Sequence, residues 1–406
     1  MAADGAGQAA ALERAVVVVL DGVGVGQAPD AAAFGDEGAN SLGNAARAVG
    51  GMPLPHLGAM GLGNITPIEG TAPVAHATGA YGRMDEVSPA KDSTTGHWEL
   101  MGLPLARAMP TYPHGFPPDV IARFEAAIGR GTLGNKPASG TEIIEELGAE
   151  HMRAGKPIVY TSADSVFQIA AHEEVIPLEE LYRMSEIARA QLSGEHAVGR
   201  VIARPFVGTP GSFTRTPRRK DFSLEPPGTT LLDELKSAGY DVIGVGKIED
   251  LFVMRGLTKS SHPGTNEGSM QRALEELGQP FHGLLFVNLV DMDQLYGHRR
   301  NPQGYARAME EVDAWVPQVQ RMLGPRDALF ITGDHGNDPT YRGTDHTREA
   351  VPILVTGAPI TPNVNLGVRR SFADLGQTLA AAFGIPPLPA GASFAQEIGL
   401  DGIGAK

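Results

Sequence analysis

The chain of 406 residues contains no cysteine. That excludes a disulfide framework and any thiolate chemistry, and it fits a reducing compartment. Positive charge is also scarce. Lys and Arg number 33 against 47 Asp and Glu, for a formal charge of −14. An acidic chain offers no broad electrostatic footprint for nucleic acid or an anionic membrane, so a phosphate site has to be a local island of positive charge. Long apolar runs are missing too: none approaches the roughly 18–20 residues of a membrane span. The opening M-A-A-D-G-A-G-Q-A-A-A-L-E-R lacks the basic start and apolar core of a signal peptide. It reads as a loose N-terminal dozen ahead of a cytoplasmic protein with no nucleic-acid or membrane partner. Gly (52) and Pro (31) are numerous but dispersed, so no low-complexity tract arises. No internal repeat is present.

Three apolar runs stand out: A-V-V-V-V-L (15–20), L-L-F-V-N-L-V (284–290) and A-L-F-I-T (328–332). Their composition and length predict buried parallel strands. Each stops at polar residues. Asp21 follows the first, Asp293 and His298 the second, and Asp334 and His335 the third; His346 returns through a loop holding Pro339 and Gly343. In open α/β sheets, ligands bind beyond the carboxyl ends of the strands. Carboxylates and imidazoles without thiolates are the donors of a divalent metal such as Mn²⁺ or Zn²⁺. Taken singly, each of these residues has a plain reading as a solvated turn or a hydrogen-bonded histidine. A whole set at strand ends does not, and it exceeds one tetrahedral site, which points to two metals. Asp293 and His298 are five apart, outside the three- or four-residue spacing of one α-helical face. A loop or the start of a helix has to bring them together. Asp334 and His335 are adjacent, so the backbone must turn there, as Gly336 permits. The G-V-G-V-G after Asp21 lacks G-x-G-x-x-G spacing and is not read as a nucleotide loop.

Residues 91–99 read K-D-S-T-T-G-H-W-E. A cluster of hydroxyls before a helix predicts that Ser or Thr caps a helix through Leu100. It also suits a nucleophile at a helix N-terminus, where backbone N–H groups favour phosphate. Ser41 is the expected N-cap of a helix over 41–49. From 105 to 224 the strand-end pattern stops, and it resumes afterwards, so this stretch reads as an inserted domain. Within it the patterning predicts helices over 118–128, 141–153 and 178–191, strands over 158–161 and 199–204, and a loop over 131–137. R-T-P-R-R-K (215–220) reads as a solvated loop. Beyond the insert come a helix over 230–238 and a strand over 240–245 with Lys247 at its tip. That lysine is either plain surface or a point charge for phosphate. A helix over 302–323, a strand over 351–356 and a helix over 371–382 follow. Strand–helix alternation on both sides predicts a doubly wound α/β core, 1–104 with 225–406.

The motifs V-V-V-V-L-D-G-V-G-V-G-Q-A-P-D, K-D-S-T-T-G-H-W-E, G-N-K-P-A-S-G-T-E, Y-T-S-A-D-S-V, G-R-V-I-A-R-P-F-V-G, N-L-V-D-M-D, G-H-R-R and D-H-G-N-D-P run nearly end to end. On them the chain resembles the prokaryotic phosphopentomutases of the alkaline phosphatase superfamily, insert included. The resemblance implies an α/β core with an inserted α+β cap domain. It implies interconversion of ribose 1-phosphate and ribose 5-phosphate, and of the 2-deoxy forms, through a phosphoenzyme and a bisphosphate. One divalent metal, most often Mn²⁺, would be held by Asp21, Ser93, Asp334 and His335, and a second by Asp293, His298 and His346. Ser162, Asp164, Arg200 and Arg215 of the insert, with Lys247, would hold the sugar phosphate, and a sugar bisphosphate would prime the enzyme. The family usually has threonine where Ser93 stands, which leaves the nucleophile open among Ser93, Thr94 and Thr95. A metal-dependent phosphomonoesterase or diesterase, and a non-catalytic phosphosugar-binding protein, are the competing readings. A hydrolase has no use for a cap that keeps water from a phosphoenzyme.

Overall fold

The three apolar runs form strands Arg14–Leu20, Gly283–Leu289 and Asp327–Gly333, almost wholly buried. The computed structural model describes residues 12–162 and 164–400; the expected loose N-terminal segment falls on residues outside these, apart from the buried Leu12. Arg14–Leu20 lies between the other two and parallel to both, with Leu20 in register with Leu289 and with Gly333. The three ends therefore stop at one level, and the next residues of each chain segment emerge on one edge. Lys259–Ser261 and Asp241–Val245 extend the parallel sheet on one side. On the other, Val351–Thr356 is antiparallel, followed by Ala80–Met84 and Asn365–Arg369. The result is one mixed sheet of eight strands.

Alternation along the strands sends side chains to both faces. Val16, Val18 and Leu20 join a core that includes Leu42 and Ala46 of helix Ser41–Val49 and Met309, Val312 and Val316 of helix Pro302–Met322. Across the sheet, Phe286 meets His97 of helix Ser93–Leu100 and Phe252 of helix Ile248–Phe252. Helices cover both faces, as a largely parallel sheet requires. The α/β class expected from the sequence is the class observed.

Helix Ser93–Leu100 is held at its far end by a buried carboxylate. Glu99 accepts from Val87 N (2.9 Å), Ser88 N (2.8 Å), Ser88 Oγ (2.5 Å), Ser371 Oγ (2.8 Å) and Phe372 N (3.0 Å). These donors come from the segment after Ala80–Met84 and from the approach to helix Ala373–Ala382.

The chain divides into two compact units, residues 12–107 with 226–400, and 108–225. In the second unit a six-stranded sheet runs Leu133–Pro137, Ile158–Thr161, Val166–His172, Arg200–Thr209, Ser212–Arg215, with Lys220–Ser223 also on Arg200–Thr209. Phe167, Ile169 and Val201 face helices Pro118–Ile128 and Leu178–Gln191. Tyr160, Ala170 and Phe206 face Ile143 and Ile144 of helix Gly140–Ala154.

Several local expectations are corrected. Residues 133–137 form a strand, hidden in the sequence by Gly134 and by Asn135 in a left-handed conformation (φ 57) where the pairing slips. Val166–His172 is a fully buried strand that the patterning does not predict, because Gln168 breaks its apolar run. The strand expected to stop at Arg204 continues to Thr209, since Pro205 sits within it. The basic run is loop only at its middle: Arg215 ends one strand and Lys220 starts the next. Asn40, not Ser41, caps helix Ser41–Val49, because the Ser41 hydroxyl donates to Glu349 at 2.7 Å. Asp92, not a hydroxyl residue, caps Ser93–Leu100.

Glu99→Gln turns one oxygen into an amide NH₂, a donor facing hydrogen-bond donors. It should cost on the order of 2–3 kcal/mol, read as a lowered midpoint in urea unfolding; an unchanged midpoint would show that this anchor carries no stability.

Candidate metal centre

Strand register fixes where the polar residues gather. Asp21 follows Leu20, and Asp334 follows Gly333, on adjacent parallel strands. Gly22 has φ 76, and a Cβ there would lie 3.0 Å from the Asp293 Cβ, so the Asp21 turn and the Asp293 segment approach closely only because that residue is glycine. Asp293 and His298 come together through neither a loop nor an ordinary helix start. Residues Met292–Gly297 form a π-helical turn, with His298 N donating to Asp293 O at 3.2 Å. Its wider turn sets residues five apart on one side, and such turns are frequent at functional sites. The five-residue spacing was the only sequence signal for it.

Two groups of side chains result. In the first, Asp21 Oδ1 lies 3.5 Å and Asp334 Oδ2 3.5 Å from His335 Nε2. Ser93 Oγ joins them, 3.2 Å from Asp21 Oδ1 and 3.2 Å from His335 Nε2. In the second, Asp293 Oδ1 lies 3.2 Å from His346 Nε2, Asp293 Oδ2 3.4 Å from His298 Nε2, and the two imidazole nitrogens 3.2 Å from each other. The His335 and His346 rings stack at 3.9 Å, so the groups adjoin. Among the three neighbouring hydroxyls, Ser93 is the one at the cluster. Thr95 Oγ1 donates to Asp92 at 2.8 Å, and no hydrogen bond ties Thr94 to the group.

The donor chemistry fits a divalent cation. Each of the three rings uses Nδ1 on a backbone carbonyl: His298 on Thr344 O, His335 on Gly336 O and His346 on Lys91 O. Their Nε2 atoms are then lone pairs aimed inward, as in metal-ligating histidines. Two such lone pairs at 3.2 Å repel unless positive charge lies between them. Asp334 Oδ2 is buried with no well-formed hydrogen bond, its nearest polar neighbours being His97 Nδ1 at 3.2 Å and His335 Nε2 at 3.5 Å. The electrostatics express the same demand. Burial works against a charged His335, yet Asp334, Asp21 and Asp293 raise it well above the usual imidazole range. Asp293 raises His298 as well. Burial alone would raise Asp293, but His298 and His346 hold it well below the carboxylate range. A metal meets that need for cations by displacing protons.

Lys247, at the end of strand Asp241–Val245, turns into this cluster. Its Nζ lies 3.3 Å from Asp21 Oδ2. Burial would lower it, but Asp21, Asp293 and Asp334 outweigh that and raise it. The surrounding polar contacts carry no signature in the sequence. Asn337 Nδ2 donates to Asp293 Oδ1 at 2.7 Å, and Glu349, which burial pushes up to about 7, accepts from Gly26 N and Ser41 N. Asn337 sits in the D-H-G-N-D-P motif, but nothing in the spacing distinguishes it from a solvated turn residue.

In the second unit, Ser162 and Asp164 follow strand Ile158–Thr161, and Arg200 pairs in register with Val166, so these three share one end of that sheet. Ser162 is half-buried, while Asp164 and Arg200 are exposed. Arg215 pairs with Phe206, six residues along the strand from Arg200. Its Nη1 lies against Gly140, 2.9 Å from where a Cβ would stand.

The sequence profile of the Metalloenzyme superfamily matches residues 13–387. The chain is 59% identical over 376 residues to a phosphopentomutase of Carboxydothermus hydrogenoformans, covering 93% of this chain and 97% of that protein. It is 58% identical over 387 residues to a phosphopentomutase of Dictyoglomus thermophilum, covering 95% and 99%. Among solved structures, the PH0037 protein from Pyrococcus horikoshii aligns with TM-score 0.49 and 14% identity over 92% of this chain and 97% of that one.

A glycine holds the Ser93 helix against the cluster. A Cβ on Gly96 would stand 2.2 Å from the Asp334 carbonyl oxygen. Backbone cannot yield as a side-chain tip can, so Gly96→Ala should displace the helix. The expected cost is about 1–3 kcal/mol in unfolding free energy, with weaker uptake of divalent metal in equilibrium dialysis. Wild-type uptake and stability together would refute the close packing.

Proposed function

The chain belongs to the phosphopentomutase family of the metalloenzyme superfamily, and from that premise we propose that it interconverts ribose 1-phosphate and ribose 5-phosphate, and the 2-deoxy forms, through a phosphorylated Ser93. The observation that carries the reading is Ser93 Oγ, 3.2 Å from both Asp21 Oδ1 and His335 Nε2 at the head of helix Ser93–Leu100. A hydroxyl among metal-binding donors at a helix N-terminus is suited to carry phosphate. Two ligand sets follow, Asp21, Ser93, Asp334 and His335 for one divalent ion, and Asp293, His298 and His346 for another. Two such ions, best matched by Mn²⁺, would lower the pKa of the Ser93 hydroxyl and neutralise the transferring phosphoryl group.

The chain's own residues do the rest. Backbone N–H groups in the first turn of the Ser93 helix favour the phosphate's charge. Lys247, half-buried beside Asp21, supplies a cation at the same end of the sheet. In the resting enzyme Ser93 carries the phosphate. It donates this to a pentose monophosphate, giving a bisphosphate, and then takes back the other phosphate. The number of phosphates is conserved in each cycle, and a sugar bisphosphate loads a dephosphorylated enzyme. Ser162, Asp164, Arg200 and Arg215 would orient the sugar phosphate, the arginines as donors to its oxygens. Water at the phosphoserine would release free phosphate instead, so the mutase reading requires that water be kept from it. No helix among the described residues is long and apolar enough to cross a membrane. A cytoplasmic enzyme acting on small pentose phosphates accords with that and with the acidic charge.

With ribose 1-phosphate as substrate and a sugar bisphosphate as primer, the wild type should form ribose 5-phosphate without stoichiometric free phosphate. Ser93→Ala should lose both turnover and the added phosphate seen by intact-mass analysis, while Ser93→Thr keeps much of each. Phosphate mapped to Thr94 or Thr95, with Ser93→Ala still active, would overturn the assignment.

Chelation should abolish activity and Mn²⁺ restore it. His346→Ala should reduce bound Mn²⁺ from two ions to one by elemental analysis. Full activity in excess chelator with no metal bound would remove the two-ion reading.

A further inference from the structure

Two buried polar side chains touch the Asp21, Asp334 and His335 group without belonging to either ligand set. His97 is fully buried on helix Ser93–Leu100, one turn beyond Ser93. Its Nδ1 bonds to the Ser93 carbonyl at 2.8 Å. A carbonyl only accepts, so Nδ1 carries a proton; Nε2 meets an Asn288 amide donor that the Asp21 carboxylate holds in place, and so meets it as a lone pair. That lone pair faces Asn288 Nδ2 at 3.3 Å. The same Nδ2 donates to Asp21 Oδ2 at 3.0 Å. Rotating the amide would set its oxygen against the Asp21 carboxylate and the His97 lone pair, so the neighbours fix its orientation. His97 Nδ1 also lies 3.2 Å from Asp334 Oδ2.

Asn288 is fully buried in strand Gly283–Leu289, and its Oδ1 has no partner. An orphaned buried carbonyl is unfavourable, and leucine of similar size would fill the space without it. Packing alone therefore does not account for the amide. What it does is occupy Asp21 Oδ2 together with Lys247, leaving Asp21 Oδ1 to face Ser93 Oγ and His335 Nε2.

We propose that His97 and Asn288 are positioning residues that act as one buried bridge, selecting the Asp21 oxygen turned toward the metal and tying it to the backbone of Ser93. The inference rests on the metal-dependent reading above. The bridge crosses three elements, from the tip of strand Arg14–Leu20 through its neighbour Gly283–Leu289 to the Ser93 helix. The carboxylate and the hydroxyl of the first ligand set are then held to one another as well as to their own elements. Asn337, which donates to Asp293, belongs to the other set and is independent of this bridge.

The test is Mn²⁺ affinity measured by titration calorimetry in a His346→Ala parent, where the Asp21, Asp334 and His335 set is read alone. Asn288→Leu and His97→Leu should each weaken binding by about 10- to 100-fold, the usual effect of losing a group that orients a ligand. The double variant should lose less than the product of the two single losses, because breaking either link opens the same bridge; His97 also adjoins Asp334, so its single loss should be the larger. Circular dichroism on the same samples reports the fold; if a leucine variant does not fold, Asn288→Ala and His97→Asn take its place. Affinities equal to the parent's, or losses that multiply in the double variant, would overturn the bridge. A parent that takes up no Mn²⁺ would overturn the metal reading, and the bridge with it; normal uptake by the parent and by every variant would overturn the bridge alone.

Discussion

Buried charge of one sign is the constraint on which this unit depends. Asp21, Asp293 and Asp334 all lie at the carboxyl edge of the sheet with their side chains nearly inaccessible. Taking a carboxylate out of water costs several kcal/mol unless positive charge and hydrogen bonds answer it. Here the answer is assembled from many directions. Lys247 comes from a neighbouring strand end, His335 and His346 from the connection between strands Asp327–Gly333 and Val351–Thr356, and His298 from the end of the π-helical turn, while the Asn288 amide and Gly22 N–H take the Asp21 and Asp334 oxygens that are not turned inward. Much of the local architecture is the consequence. Glycine is needed at 22 and 96 because carboxylate-bearing segments approach there closely, and each histidine is pinned through Nδ1 so that its other nitrogen points one way.

The parts legible in the sequence were those with a one-dimensional signature. A β-branched run ending in Asp marks a buried strand with a ligand at its tip, and parallel register then brings such tips together without further information. The parts that were not legible depend on contacts between segments far apart. Asn288 reads as a polar interruption in an apolar strand, and His97 as one histidine in a helix; only their meeting, 191 residues apart, gives either a purpose. The caps failed for a related reason. Ser41 has the right chemistry to cap its own helix, but Glu349 claims its hydroxyl from 308 positions away.

The second unit was less legible, and the reason is also physical. Its strands carry Gln168, Pro205 and a left-handed Asn135, each of which interrupts the alternation that identifies a strand. The sheet tolerates them because pairing on either side is strong and because helices pack both faces. The resemblance groups Arg200 and Arg215 as holders of one sugar phosphate. In the sheet they occupy well-separated register positions, and only the reach of a long side chain turns Arg215 back toward Gly140 and Tyr160.

The position of strand Arg14–Leu20 at the centre of its sheet has a consequence for biosynthesis. Its partners begin at Gly283 and Asp327. At about 5–20 residues per second, a ribosome needs on the order of tens of seconds to deliver them after the first strand has emerged. For that time A-V-V-V-V-L has no native neighbour on either edge, and it is the kind of segment that pairs with other chains. Residues 108–225 are synthesised within the interval and carry cores of their own. They can fold while the first strand waits, so the nascent chain spends that period as one finished unit and one exposed, adhesive strand. Protection of that strand during translation is then a demand that the finished sheet, in which both its edges are paired, no longer shows.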